Sequence, residues 1–140
     1  DLIIKRNCSK DMILINKKYN CSVMASMNVK RNTVKRWGIY SKEKKINKNN
    51  FFIKDVVEKP EIKYAPSNSA VIGRYILSKD IFKKLNNQKK GKGGEIHITD
   101  SIKRLIESGH KIIGHNFSGK YLDCGTMKGY IKSSMEISKL

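Results

Sequence analysis

Residues 70–78 read Ala70-Val71-Ile72-Gly73-Arg74-Tyr75-Ile76-Leu77-Ser78. The first eight residues are apolar enough to form a buried β-strand. Ser78 can cap a short helix that follows directly, since serine is a favoured residue at helix starts. Strand-like and helical patterns also alternate on both sides of this stretch. The sequence therefore predicts an α/β fold with a mixed sheet.

The elements around this strand can be placed from their apolar spacing and their caps. Before it, we predict a helix from Ser9 to about Tyr19, strands over 21–29, 37–40 and 51–57, and a solvated hairpin loop over 41–50. After it, we predict a helix capped by Thr99 and ended by Gly109, a strand over 111–117 and a final helix from Thr126. No internal repeat is visible, so the pattern indicates one domain.

The formal net charge of +18 first suggests a nucleic-acid or anionic-membrane partner. However, only five of the 30 basic residues are arginine, and the basic residues are spread over the whole chain. Arginine binds phosphate with two parallel hydrogen bonds and does so better than lysine, so the scarcity of arginine favours a solvated basic surface over a nucleic-acid site. A basic nucleic-acid-binding module remains an alternative. No apolar run approaches the roughly 20 residues of a membrane span, so we expect no membrane partner.

The cysteine and histidine residues do not indicate a metal centre. The chain has three cysteines, Cys8, Cys21 and Cys124. Because the number is odd and no two of them are closely spaced in sequence, we expect free thiols in a reducing cytoplasm. The histidines are His97, His110 and His115. They lack acidic or thiol residues at ligand spacing, and we expect His97 to point away from a strand.

Glu58 and Lys59 follow a predicted strand, and Pro60 stops it. Ligands gather at the carboxyl ends of strands in open α/β sheets. A glutamate can accept hydrogen bonds from sugar hydroxyls, and a neighbouring lysine can meet a phosphate. A surface ion pair at a turn is the competing interpretation.

Asp123 and Gly38 are two further candidate site residues. Asp123 stands between apolar residues and a glycine turn, where it could bind Mg²⁺ or accept a local turn bond from the backbone. Gly38 follows Trp37 and could let a sugar approach the backbone closely, or it could be a strand glycine beside a packed ring. The glycine-rich stretch 91–94 lacks the Gly-Lys-Ser/Thr ending of a phosphate loop.

Taken in order, four segments resemble the bacterial UTP–glucose-1-phosphate uridylyltransferases, also called UDP-glucose pyrophosphorylases. They are Val56-Val57-Glu58-Lys59-Pro60, the run 65–77 with Asn68, Ala70, Gly73, Arg74 and Tyr75, the run 94–102 with Thr99-Asp100, and Asp123-Cys124-Gly125. The resemblance covers residues 1–140 as the sugar-phosphate-binding C-terminal half of a family member. It implies a Rossmann-like α/β/α sandwich whose N-terminal part is missing here.

The resemblance also implies an activity and a site. UTP and glucose 1-phosphate would form UDP-glucose and pyrophosphate with Mg²⁺, in a cytoplasmic enzyme that is a homo-oligomer when full length. Gly38 and Glu58 would bind the sugar, Lys59 would bind and neutralise its phosphate, and Asp123 would ligate the metal. Lys59 and Asp123 are thus the implied catalytic residues. Asp1 would be the second aspartate of the other metal-binding pair, or the ligand itself.

Two expectations follow from the missing half. The loop for the UTP phosphates and the uracil pocket would precede Asp1, so we expect this chain alone to be inactive. The same gap leaves a related enzyme that uses dTTP as an alternative.

Overall fold

The computed structural model describes residues 2–5, 7–86, 88–91 and 94–140, with only the backbone of Leu2. Strands are β1 (Leu2–Ile4), β2 (Ser22–Asn28), β3 (Gly38–Lys45), β4 (Asn50–Glu58), β5 (Ser69–Ile76), β6 (Ile112–Asn116) and β7 (Lys120–Leu122). Helices are α1 (Cys8–Tyr19), α2 (Asp80–Asn86), α3 (Ile98–Glu107) and α4 (Met127–Ile137), with short 3₁₀ turns at Arg31–Arg36 and Ile62–Tyr64.

The main sheet is mixed and closes on itself in the order β2-β5-β3-β4-β6. Strands β2 and β6 are parallel, and the other neighbours in the ring are antiparallel. Strands β1 and β7 form a separate antiparallel pair. The predicted α/β fold with a mixed sheet is confirmed, whereas the closure into a ring was not predicted.

Helices cover the sheet on two sides because successive strand residues face opposite ways. Val23 and Ala25 of β2 pack in one cluster with Met12 of α1. Met24, between them, packs in the other cluster with residues of α3, among them Leu105. The arrangement of α1 on one face and α2 with α3 on the other gives the α/β/α layers that the family resemblance implied.

The β3–β4 hairpin is longer than predicted. The expected loop over 41–50 is wrong, because β3 continues to Lys45 and β4 begins at Asn50. The ammonium of Lys42 lies 4.5 Å from the centre of the Phe51 ring, so a lysine-rich strand still covers apolar surface. The side-chain oxygen of Asn47 accepts hydrogen bonds from the backbone N–H groups of Asn49 and Asn50, and these bonds close the short turn.

Two predicted helix caps are wrong and two helix boundaries are confirmed. Helix α1 is capped by Asn7, not Ser9, and the N-cap of α3 is His97, not Thr99. Thr126 caps α4 by accepting the N–H of Gly129, as predicted. Gly109 follows the end of α3 with a φ of +88°, a conformation that favours glycine. None of the helices in the described ranges is long and apolar enough to cross a membrane.

The pairing of β4 with β6 provides a test of the closed sheet. Phe51 and Gly114 are cross-strand partners, and a Cβ at position 114 would collide with the Phe51 ring. We expect Gly114→Ala to lower the free energy of unfolding by about 1–3 kcal/mol, as overpacking in cores does. Urea denaturation would measure this loss. In a Phe51→Leu background the loss should shrink, and an equal loss in both backgrounds would contradict the pairing.

Candidate functional site

The candidate site is built on the first residue of β3 and the last residue of β4. Gly38 and Glu58 are cross-strand partners in the antiparallel hairpin, so the carboxylate side chain stands beside the glycine backbone. Residue 58 is therefore the end of the strand itself, one position later than the predicted strand end at 57. The pairing brings together two of the residues that the sequence singled out.

Gly38 is closely surrounded at the position where another residue would have its Cβ atom. A Cβ at this position would lie 3.1 Å from Glu58 Oε2, from Thr99 Cγ2 and from Val71 Cγ2. Such distances are tighter than most Cβ contacts. Glycine at position 38 therefore allows β4, β5 and α3 to converge on one point.

A cavity of about 260 Å³ opens at this point. Its lining includes Arg36, Trp37, Gly38, Glu58, Val71, Gly73, Tyr75, His97, Thr99 and Tyr121. Ligand sites in proteins usually span about 300–1,000 Å³ and combine apolar walls with a few polar groups. The size and lining therefore suit one small polar ligand better than a complete nucleotide sugar.

Glu58 is half-buried, and one of its oxygens is already engaged. Thr99 Oγ1 donates a hydrogen bond of 2.9 Å to Glu58 Oε2. A carboxylate has several acceptor positions on its two oxygens, so it can accept further hydroxyl donors. Glu58 can therefore serve as an acceptor for ligand hydroxyl groups in the cavity.

Asp123 is not among the residues that line this cavity, but it contacts Arg36, which does line it. Arg36 Nη2 donates to Asp123 Oδ2 at 3.2 Å, and the backbone N–H of Gly125 donates to Asp123 Oδ1 at 2.9 Å. The local turn bond that the sequence offered as an alternative is therefore present. The same carboxylate also faces a guanidinium group that lines the cavity.

Lys59 is exposed and is absent from the residues that line the cavity. Its backbone N–H donates to Trp37 O at 3.0 Å, which fixes the chain directly after Glu58. Its φ is +43°, an uncommon conformation for a residue with a side chain. Strained backbone of this kind is enriched at functional sites.

Two tyrosines near the site hold their protons tightly. Burial, followed by the nearby negative charge of Asp123, raises the pKa of Tyr121 to about 12. Burial and then the charge of Glu58 also raise the pKa of Tyr75. Both phenols are therefore protonated hydrogen-bonding groups at neutral pH.

The histidines lie in three different places. His97 lines the cavity at the start of α3, so the prediction that it points off a strand is wrong. His110 contacts Asp80 at 3.3 Å, and His115 Nδ1 lies 2.7 Å from Asn50 Oδ1 in the core. Within the described ranges, no group of three or more His, Cys, Asp or Glu side chains could hold a metal ion. Asp1 lies outside the described residues.

Sequence reasoning missed several residues of the cavity, among them Arg36, Tyr75, Thr99 and Tyr121. Arg36 stands in a short 3₁₀ turn without a motif, and the sequence pattern indicates only a helix cap at Thr99. Tyr75 and Thr99 stand in segments that carry the family resemblance, but that resemblance assigns them no role at the site. The other contacts depend on which strands become neighbours.

Residues 1–139 match the family described as nucleotidyl transferase. A UTP–glucose-1-phosphate uridylyltransferase from Pseudomonas aeruginosa is 39% identical over 123 residues, which make up 88% of this chain and 43% of the relative. The crystal structure of a UDP-glucose pyrophosphorylase complexed with UDP-glucose has a TM-score of 0.90 at 41% identity, and the match covers 98% of this chain and 52% of that protein.

A UTP-bound UGPase from Acinetobacter baumannii has a TM-score of 0.76 at 28% identity, over 90% of this chain and 42% of its own. The chain thus spans about half the length of the relatives that it matches. These similarities confirm the resemblance that the motifs predicted.

The left-handed backbone conformation of Lys59 can be tested by comparing the free energies of unfolding of two variants. Lys59→Ala and Lys59→Gly both remove the ammonium, but only alanine keeps a Cβ in this conformation. We expect the glycine variant to be more stable by about 0.5–1 kcal/mol in urea denaturation. At Lys54, an exposed residue within β4, the order should reverse, because glycine weakens a strand. The same order at both positions would contradict the assigned conformation.

Proposed function

Because this chain belongs to the nucleotidyl transferase family, we propose that the whole protein joins UTP and glucose 1-phosphate into UDP-glucose and pyrophosphate. The chain described here would supply the sugar-phosphate side of the site. One observation carries the proposal: Gly38 and Glu58 line a small polar cavity together with Arg36, and Arg36 forms an ion pair with Asp123. The names of the similar proteins support the same reaction.

The sugar would bind against Gly38 and Glu58. The Glu58 carboxylate can accept hydrogen bonds from glucose hydroxyls, and bonds to a charged acceptor are stronger than neutral ones. The missing side chain of Gly38 lets a ring approach the backbone. The half-buried setting of Glu58 reduces competition from water, which strengthens these bonds.

The sugar phosphate would lie toward the positive groups at the rim. Arg36 lines the cavity, and its guanidinium can bind phosphate oxygens in a forked geometry. Lys59 follows Glu58 directly in the chain and would bring a second positive charge to the same phosphate.

Magnesium fits this donor set if the ion is shared with the substrate. Mg²⁺ is commonly held by one or two carboxylates together with substrate phosphates. Asp123 supplies one such carboxylate, and Arg36, which now contacts Oδ2, would have to turn toward a phosphate. When bound there, the ion supplies charge neutralisation at phosphate oxygens.

The reaction needs alignment more than enzyme-bound chemistry. A phosphate oxygen of glucose 1-phosphate attacks the α-phosphorus of UTP, the bond from that phosphorus to the β-phosphate oxygen breaks, and pyrophosphate leaves. Glu58 and Gly38 would fix the sugar so that this oxygen points along the line of attack. Arg36 and Lys59 would reduce the repulsion between the two phosphate-bearing substrates.

We assign this activity to the cytoplasm and to a homo-oligomer. Cys8, Cys21 and Cys124 are free thiols, which suits a reducing compartment. Exposed apolar side chains on α4, among them Met127 and Met135, offer a surface that a second copy could cover. Gel filtration combined with light scattering would measure the mass of the full-length protein.

The activity is tested by pyrophosphate release from the full-length protein with UTP, glucose 1-phosphate and Mg²⁺. We expect Glu58→Ala to lower kcat/KM for glucose 1-phosphate by roughly 10- to 100-fold through lost charged hydrogen bonds. Asp123→Asn should lower kcat/KM by about 100-fold or more, because the metal would lose a charged ligand.

Two acidic residues outside the site serve as matched controls. Glu61 is exposed and lies three residues after Glu58 in the chain, and Asp55 forms an ion pair with Lys103 at 3.4 Å. Glu61→Ala and Asp55→Asn should keep kcat/KM within about 2-fold, as surface substitutions do. Unchanged rates in both Glu58→Ala and Asp123→Asn would contradict the site assignment. Faster turnover of dTTP than of UTP would contradict the assigned nucleotide.

A further inference from the structure

Thr99 has a place in the fold that its sequence position does not indicate. It lies in the first turn of α3 with only 5% of its surface exposed. Threonine near a helix start commonly caps the helix with its hydroxyl. Here the N-cap is His97, and the Thr99 hydroxyl instead donates to Glu58 Oε2 at 2.9 Å across a separation of 41 residues.

This hydrogen bond is part of a tight enclosure around one oxygen of Glu58. The same Oε2 atom lies 3.1 Å from where a Cβ of Gly38 would be, and the methyl group of Thr99 lies at the same distance from that point. Thr99 thus donates to the carboxylate, and its methyl group and the same carboxylate oxygen both lie close to Gly38 of β3. A glutamate side chain that is not held in this way loses rotamer freedom when a ligand fixes it.

Among the residues that the structure describes, Thr99 is the donor to the Glu58 carboxylate, so the second oxygen, Oε1, is left for a ligand. One donor on Oε2 satisfies part of the carboxylate without adding a positive charge. A neutral donor fixes the direction of the group while its negative charge remains available to a hydroxyl. Glu58 is therefore held in place before any ligand arrives, which reduces the entropy lost on binding.

We propose that Thr99 is a positioning residue that holds the Glu58 carboxylate in place for the hydroxyl groups of the sugar phosphate. This inference rests on the proposed function of the site. It links α3 to sugar recognition through one hydrogen bond. It also gives Thr99 a role through Glu58, separate from any contact with the nucleotide.

Steady-state kinetics of the full-length protein test this role. Thr99→Val keeps the shape and removes the hydroxyl, and we expect KM for glucose 1-phosphate to rise about 10-fold. KM for UTP should stay within about 2-fold, because general damage to the fold would affect both substrates. Thr99→Ser restores the donor and should recover KM to within about 3-fold of the wild type.

A matched control separates the hydrogen bond from the helix. Ser108 is the C-cap of the same helix, and within the described part of the chain its hydroxyl donates only to the backbone carbonyls of Arg104 and Leu105. Ser108→Ala should leave both KM values unchanged. A rise in KM for glucose 1-phosphate with Ser108→Ala as large as that with Thr99→Val would overturn the inference, because loss of any α3 hydroxyl would then suffice.

A double-mutant cycle with Glu58→Ala decides whether Thr99 acts through the carboxylate. In the Glu58→Ala background, Thr99→Val should change kcat/KM by less than about 2-fold. Additive losses in the cycle, or an unchanged KM in the single Thr99→Val variant, would overturn the inference.

The proposed function fails separately from this inference. Impairment by Glu58→Ala without any effect of Thr99→Val leaves the function standing and removes only the role of Thr99. A wild-type protein that releases no pyrophosphate from UTP and glucose 1-phosphate refutes the function, and the role of Thr99 with it.

Discussion

The close approach of the Gly38 backbone to the Glu58 carboxylate is the constraint on which the rest of the site depends. Their pairing joins the start of β3 to the end of β4, and the missing Cβ lets Val71 and Thr99 reach the same point. Any larger residue at position 38 would separate a strand, a helix and the carboxylate. The cavity exists because one position in the hairpin has no side chain.

The closed sheet explains why residues distant in sequence meet there. Strand β5 pairs with β3 only at Ile39 and Ala70, directly beside Gly38. Leu105 of helix α3 packs against the face of the sheet that contains Tyr40 and Val71. This packing places the first turn of α3 beside the cavity. The small β1–β7 pair ends just before Asp123 and places that carboxylate within reach of Arg36.

The sequence predicts the elements better than their contacts. The strand over 70–77 and the final helix from Thr126 could be predicted, because apolar spacing and capping are local properties. The lysine-rich part of β3 could not, since its strand conformation depends on pairing with β4 and on the Phe51 ring beneath Lys42. Thr99 was assigned as a cap because nothing local reveals a hydrogen-bond partner 41 residues away.

A crystal structure of the full-length protein with glucose 1-phosphate and Mg²⁺ tests the central claim most directly. We expect sugar hydroxyl oxygens about 2.5–3.0 Å from the Glu58 carboxylate, with the sugar ring against the Gly38 backbone and the phosphate toward Arg36 and Asp123. A sugar phosphate bound elsewhere, with the cavity beside Gly38 filled only by water, would contradict the account.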